Sequence, residues 1–180
     1  MALLAWLKRR NKTMTVRNEG LEIAAIKGGK SFFFDAANQT LASGSAIDVC
    51  IEVKDIELYL RSIILDSNAD QISWQVYAGH EITPGSGTPL AINNRNTGVV
   101  QKPDFQAIQD PTITSPGTPI FPVPRTILGQ EAFIAASFIY KQLLTGGYVI
   151  SKNTNIRMEF TNDSTGASAV SVLFSARENI

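Results

Sequence analysis

The sequence predicts an all-β fold, an antiparallel β-sandwich or jelly roll with an extended N-terminal arm. Three observations support it. Apolar and polar side chains alternate along most of the chain, and clusters of Gly, Asn, Ser and Asp separate the alternating segments. No regular alternation of strands with helices is visible, which argues against a doubly wound fold. Many short strands joined by such turns are typical of sandwiches and barrels.

Residues 1–18 are predicted to be a separate apolar and basic arm. Five of the 16 basic residues precede the first acidic residue, Glu19. The charges follow the apolar run, which argues against a signal peptide. Either the arm docks on a neighbouring protein or it is a solvated terminus. If it docks, the predicted partner-binding residues are Leu3, Leu4, Trp6, Leu7, Arg9 and Arg10.

Residues 19–180 are predicted to form one sandwich domain. Alternation predicts strands at IDVCIEV (47–53), ISWQVYAG (72–79), NIRMEFTN (155–162) and ASAVSVLFSARE (167–178). Residues 56–65 fit a strand or a short helix, and the alternation of Ile56, Leu58 and Leu60 with polar neighbours favours the strand. Two stretches remain open to a helix, LEIAAIKG (21–28) and EAFIAASFIYKQLL (131–144).

A Gly- and Pro-rich stretch at about 93–124 is predicted to be a long loop or an extended hairpin. A similar sequence motif occurs twice in this region, as ITPGSGTPLAI at 82–92 and as ITSPGTPIFPV at 113–123. Neither copy has the lysine of a phosphate-binding loop, and the proline after each threonine discourages a helix start. The repeat is therefore predicted to be architectural, two turn-and-strand units that form the sides of a protruding hairpin.

Catalytic and metal-binding signatures are sparse. His80 is the only histidine, which excludes a multi-histidine metal site, and Cys50, the only cysteine, is predicted to be a buried, inert thiol. Asp48 and Glu52 are predicted to face solvent, and Asp163 fits a turn better than a calcium site. We therefore expect no enzyme activity, no metal, no cofactor and no small-molecule substrate.

Nucleic acid and membrane partners are also disfavoured. Outside the basic arm the chain carries more acidic than basic residues, and its aromatic residues form no RNA-binding signature. No run approaches the roughly 20 apolar residues that a membrane-spanning helix needs. Only the arm leaves these two options open.

The pattern of turns and strands resembles a group of tailed-bacteriophage virion proteins. The resemblance lies in WQVYAGHEITPGSGTPLAINNRNTG, DPTITSPGTPIF, LLTGGYVISKNTNIRMEFTNDSTG and VSVLFSARE, and it spans roughly residues 20–178. The matching residues are Tyr77, Gly79, Thr83, Gly87, Thr88, Leu90, Asn94, Arg95, Asn96, Pro111, Thr112, Thr114, Gly117, Thr118, Asn153, Thr154 and Asn162. The arm is not part of this pattern, so its anchoring role rests on its chemistry alone.

The resemblance implies a non-enzymatic virion structural protein with a β-sandwich or jelly-roll fold. Such a protein decorates or cements the capsid surface after assembly in the host cytoplasm. Its implied partners are its own copies, as a homotrimer or another symmetric homo-oligomer, and the major capsid protein or other virion proteins. The resemblance supplies no catalytic residues.

Two alternatives remain at this stage. One is a tail-associated protein, either a structural tail or collar module or a receptor-binding module in which Tyr77, Tyr140 and Tyr148 stack on sugars. The other is a hydrolase on the same fold that uses His80 or Asp163.

Overall fold

The computed structural model describes residues 23–99, 101–128 and 148–178. One helical turn at 23–27 precedes the first strand. The larger strands are β1 (Ser31–Leu41), β2 (Ala46–Val53), β3 (Leu58–Ser67), β4 (Gln71–Ala78), β8 (Phe105–Gln109), β13 (Thr154–Asn162) and β14 (Ser168–Glu178). The shorter ones are β5 (Glu81–Ile82), β6 (Thr88–Pro89), β7 (Asn93–Asn94), β9 (Ile113–Ser115), β10 (Thr118–Pro119), β11 (Arg125–Leu128) and β12 (Tyr148–Ile150).

Most of the strands form two packed antiparallel sheets, and β5 and β9 form a separate two-stranded sheet. Sheet A has the order β12-β3-β14-β1-β7, and sheet B has the order β10-β4-β13-β2-β8-β6, with β11 also paired to β4. The chain runs as one antiparallel ribbon in which β1 pairs with β14, β2 with β13, β3 with β12 and β4 with β11. Successive pairs alternate between the sheets, as in a jelly roll. The predicted antiparallel β-sandwich is confirmed.

The core lies between the inner faces of the two sheets. Alternation along β2 points Ile47, Val49 and Ile51 inward, and all three are fully buried. From sheet A, the ring of Phe34 stacks on that of Phe174 with 4.9 Å between ring centroids. Burial of such large apolar side chains is the main stabilising contribution to a sandwich of this size.

Residues 79–124 form an insertion at the tip of the ribbon, between β4 and β11, which we call the tip insertion. The first residues of the two copies of the repeated motif lie next to each other, because Ile82 on β5 pairs with Ile113 on β9. Their Gly-Thr-Pro parts then separate: Thr88–Pro89 pairs with β8 and Thr118–Pro119 pairs with β4. The repeat therefore adds one short strand to each edge of sheet B. Each of these strands contains a proline, which has no backbone N–H and so hinders the pairing of a further strand.

Several expectations about individual elements can now be compared with the structure. Residues 58–67 are a strand, and the helical alternative for 21–28 holds at 23–27. The stretch at 93–124 holds four strands, and one of them, β8, is an integral strand of sheet B. Residues 131–144 and the N-terminal arm, 1–18, lie outside the described residues.

Candidate functional site

The outer face of sheet B brings charged residues together across its strands. In the antiparallel register Arg157 on β13 lies opposite Cys50 on β2 and Tyr77 on β4. One row further, Glu159 lies opposite Asp48. Facing residues in an antiparallel pair are about 5 Å apart, so side chains from distant parts of the sequence meet here.

Arg157 is the centre of this cluster. Its Nε donates to Oδ1 of Asp48 at 2.6 Å, a second guanidinium nitrogen donates to Glu159, and its Cζ lies 4.6 Å from the centroid of the Tyr77 ring. Burial raises the pKa of Tyr77, and the nearby Glu159 charge adds to the rise. The guanidinium group of Arg157 therefore covers one face of the Tyr77 ring.

Cys50 lies in the same row and is fully buried, although it points to the outer face of the sheet. Burial raises the pKa of its thiol to about 12, and the charge of Asp48 acts in the same direction. A protonated, covered thiol is a poor nucleophile and a poor metal ligand. The predicted burial of Cys50 is confirmed.

A cleft with a volume of about 710 Å³ lies between the outer face of sheet B and the tip insertion. Its lining includes the polar residues Glu52, Gln106 and Asn155 and apolar residues such as Ile82 and Leu90. The side-chain amide of Gln106 donates to the carboxylate of Glu52. This mixture of apolar residues and a few polar groups is typical of binding clefts for small polar molecules.

His80 lines the cleft and lies two residues after the end of β4. It is 1% exposed, and neither ring nitrogen has a hydrogen-bond partner among the described residues. Burial lowers its pKa, and the opposing effect of the Glu52 charge is smaller. His80 is therefore neutral at pH 7, and its unpaired nitrogens make its burial costly.

The geometry separates the two residues considered for hydrolysis. The backbone amide of Asp163 donates to the carbonyl of Gln71, at the start of β4, whereas His80 follows the end of the same strand. A strand of that length separates them by roughly 25 Å. Within the described ranges, no group of three or more His, Cys, Asp or Glu residues is placed to hold a metal ion.

The outer face of sheet A differs from that of sheet B, because it carries exposed apolar side chains. Phe33 is 40% exposed, Leu173 39% and Val149 45%. They lie on β1, β14 and β12, three strands of one sheet. Large apolar residues collected on one face of a protein commonly mark a contact with another molecule.

The residues predicted from sequence fall on different parts of the molecule. The arm residues Leu3, Leu4, Trp6, Leu7, Arg9 and Arg10 lie outside the described residues, as do Tyr140 and the side chain of Tyr148. Asp48 and Glu52 lie on the outer face of sheet B as predicted, but half-buried. Arg157 and Asn155 are not among the site residues predicted from the sequence. Alternation identifies them as outward-facing, but only the strand register brings them to Asp48 and Glu52.

No helix among the residues placed by the structure combines the length and the apolar character needed to cross a bilayer. Comparisons of the chain with protein-family models, with curated proteins and with solved structures give no match.

Proposed function

We propose that this chain is a non-enzymatic structural protein of a tailed-bacteriophage virion. It decorates or cements the capsid surface through contacts with its own copies and with coat protein. The proposal joins the sequence resemblance to one structural observation, which is the contrast between the outer faces of the two sheets.

That contrast supports assembly. On the outer face of sheet B, Gln75 donates from its side-chain amide to the carbonyl of Phe121 in the tip insertion, and both Gln75 and Cys50 are less than 5% exposed. Sheet A keeps Phe33, Leu173 and Val149 open to solvent. An assembling protein uses such a face as contact area.

The residues that carry the resemblance have structural roles, in keeping with this function. Gly87 and Gly117 have positive φ values of 79° and 80°, and Asn153 has a φ of 53°. The Nδ2 atom of Asn162 donates to the carbonyls of Leu41 and Gly166, at 3.0 and 2.9 Å. These residues fix turns and join loops, so the shared pattern describes an architecture.

Peptide mass spectrometry of purified virions tests the proposal. Particles from the host that produces the chain are expected to contain it at a constant ratio to the coat protein. Particles made without it should take up the added protein until a saturating copy number is reached. Absence of the chain from purified particles, or uptake that never saturates, would contradict the proposal.

The predicted anchoring role of the arm has its own test. Deleting residues 1–12 is expected to lower the number of copies bound per particle while leaving the folded domain intact by circular dichroism. Substituting Val123, which is 64% exposed, with Ser serves as a surface control that should not change occupancy. An unchanged number of bound copies after the deletion would contradict the anchoring role of the arm.

The cleft favours a second candidate, a receptor-binding module for glycans. The carboxylate of Glu52 and the amides of Gln106 and Asn155 line it, and such groups bind sugar hydroxyls. Of the predicted aromatic residues, Tyr77 has the Arg157 guanidinium over its ring. Glycan-array binding that is lost in Asn155→Ala would support this candidate, and an array without signal would reject it.

A further inference from the structure

The outer face of sheet A carries charged as well as apolar side chains in a regular order. By the outer face of sheet A we mean the outward-pointing side chains of β12, β3, β14 and β1. They are Phe33, Asp35, Tyr59, Arg61, Ser62, Ile64, Asp66, Val149, Ser171, Leu173, Ser175 and Arg177. The strand register orders them in rows across the sheet, so the position of each charge is known.

One end of the face is acidic. Asp66 on β3 pairs with Ser171, and in the next row Asp35 on β1 pairs with Leu173. Both aspartates are exposed. No basic residue occurs in these two rows of the described sheet.

The opposite end is basic. Arg177 pairs with Tyr59, and its Cζ lies 5.1 Å from the centroid of the Tyr59 ring. Arg61 lies at the register shift of β3, between Leu60, which pairs with Ala176, and Ser62, which pairs with Ser175. The six residue steps from Ser171 to Arg177 place the two ends about 20 Å apart.

The middle of the face is apolar and smooth. Phe33 and Ser175 share one row, and Leu173 and Ile64 share the next. The neighbouring serine side chains are small, so another flat surface can approach the apolar residues closely. Acidic and apolar side chains therefore share the row of Asp35, Leu173 and Ile64, with Asp66 beyond it at one end of the face and Arg177 at the other.

We propose that this face binds the same face of a second copy about a two-fold axis that runs across the strands. This rests on the self-association included in the proposed function. The two-fold operation reverses the strand direction, so the acidic end of each copy meets the basic end of the other. Asp66 then faces Arg177 of the second copy twice, and the apolar zones meet at the axis. A partner of uniform charge matches only one end.

The size of the face sets the expected strength. Four strands about 4.8 Å apart, over roughly eight residues of about 3.3 Å each, give about 500 Å² per copy. Stable interfaces bury about 800 Å² per partner. We therefore expect a dimer whose dissociation constant is on the order of 10–100 μM for the isolated protein.

Sedimentation velocity of the full-length chain between about 1 and 500 μM measures this dimer directly, because the range brackets the expected dissociation constant. The wild-type protein is expected to shift from monomer to dimer across the range. Leu173→Glu introduces a charge at the axis and should keep the protein monomeric. Val123→Glu adds the same charge at an exposed apolar position of the tip insertion and should dimerise like the wild type.

Charge reversal tests the two-fold arrangement itself. Asp66→Lys and Arg177→Glu should each weaken the homodimer at least tenfold, because like charges then meet across the axis. Mixing the two variants should restore both charge contacts, one of them with its charges exchanged, so mixed dimers should outnumber either homodimer in native mass spectrometry. A monomeric wild type, a dimer insensitive to Leu173→Glu, or variants that do not prefer each other would overturn the proposal.

The two proposals fail separately. A wild-type monomer that is still present in purified virions would overturn the two-fold pairing and leave the virion function intact. If the chain dimerises in solution but is absent from purified virions, the proposed virion function is overturned and the two-fold pairing stands.

Discussion

The Nε atom of Arg157 donates a 2.6 Å hydrogen bond to Oδ1 of Asp48, although 109 positions separate these residues in the sequence. The bond joins β13 to β2 at the centre of sheet B. The Arg157 side chain is 8% exposed and that of Asp48 is 20% exposed, so solvent screens the pair only partly. This bond is therefore a candidate for a measurable contribution to stability, which most surface ion pairs are not.

Arg157→Met is expected to lower the free energy of unfolding by about 2–3 kcal/mol, because it removes the guanidinium donor of Asp48 and leaves Glu159 with only the Tyr77 hydroxyl at 3.5 Å. Asp48→Asn should cost less, since the amide oxygen still accepts a hydrogen bond. Urea denaturation of both variants and of the double variant measures the coupling. Strictly additive effects would show that the pair contributes nothing.

Gly117→Ala is expected to lower the free energy of unfolding by about 3 kcal/mol or more. The residue has a φ of 80°, and an added Cβ would lie 2.6 Å from the carbonyl oxygen of Ala78. Gly85→Ala is the matched control, because Gly85 has a φ of 75° with nothing within 4 Å of the added atom. It should cost about 1 kcal/mol, from backbone strain alone. Equal losses would show that the backbone at Gly117 relaxes freely.

His80 is expected to make stability depend on pH. Burial lowers its pKa in the folded state, so above about pH 6.5 both states are neutral at this residue and stability is at its full value. As the pH falls below 6.5 the unfolded chain binds a proton first, and stability decreases until the folded pKa is reached.

His80→Leu isolates this effect from the titration of Glu52 and Asp48, the carboxylates that act on His80. The difference in unfolding free energy between the wild type and the variant should change between pH 7 and pH 5, with the wild type losing more. Because the chain has a single histidine, its imidazole proton resonance reports the same pKa. A resonance that titrates at or above pH 6.5 would contradict the buried, neutral state.

Cys50 is expected to resist alkylation in the folded protein. With a pKa of about 12, its thiolate fraction at pH 8 is roughly 1000-fold below that of an unperturbed cysteine. Reaction with a thiol reagent should therefore be at least that much slower in the folded protein than in urea, where one equivalent reacts. A folded-state rate within tenfold of the unfolded rate would show that the thiol is accessible.

Much of the fold could be predicted from alternation. Residues 47–53 and 155–162 follow strict period 2, and their apolar residues face the core as that pattern requires. β8 was missed because its five residues, FQAIQ, are short and lie among turn residues. Its place beside β2 follows from register, which a local pattern does not contain.

The surfaces were harder to predict than the core. The sequence places Phe33, Ile64 and Leu173 on strands, but only the pairing of β1 and β3 with β14 shows that they share one face. Conversely, Cys50 and Gln75 are outward-facing by alternation and yet buried, because other residues cover that side of sheet B. The exposure of an outward-facing side chain depends on which other segments cover that sheet. Those segments come from distant parts of the chain, so a local sequence pattern does not identify them.

A cryo-electron microscopy map of the purified virion is the most direct test of the proposed function. The account predicts two-layered sandwich density at regular positions on the capsid surface, with the outer face of sheet A against a second copy of the chain. A map with no such density on the particle would contradict it. Sandwiches present only at the tail tip, with sheet A open to solvent in every copy, would contradict it equally.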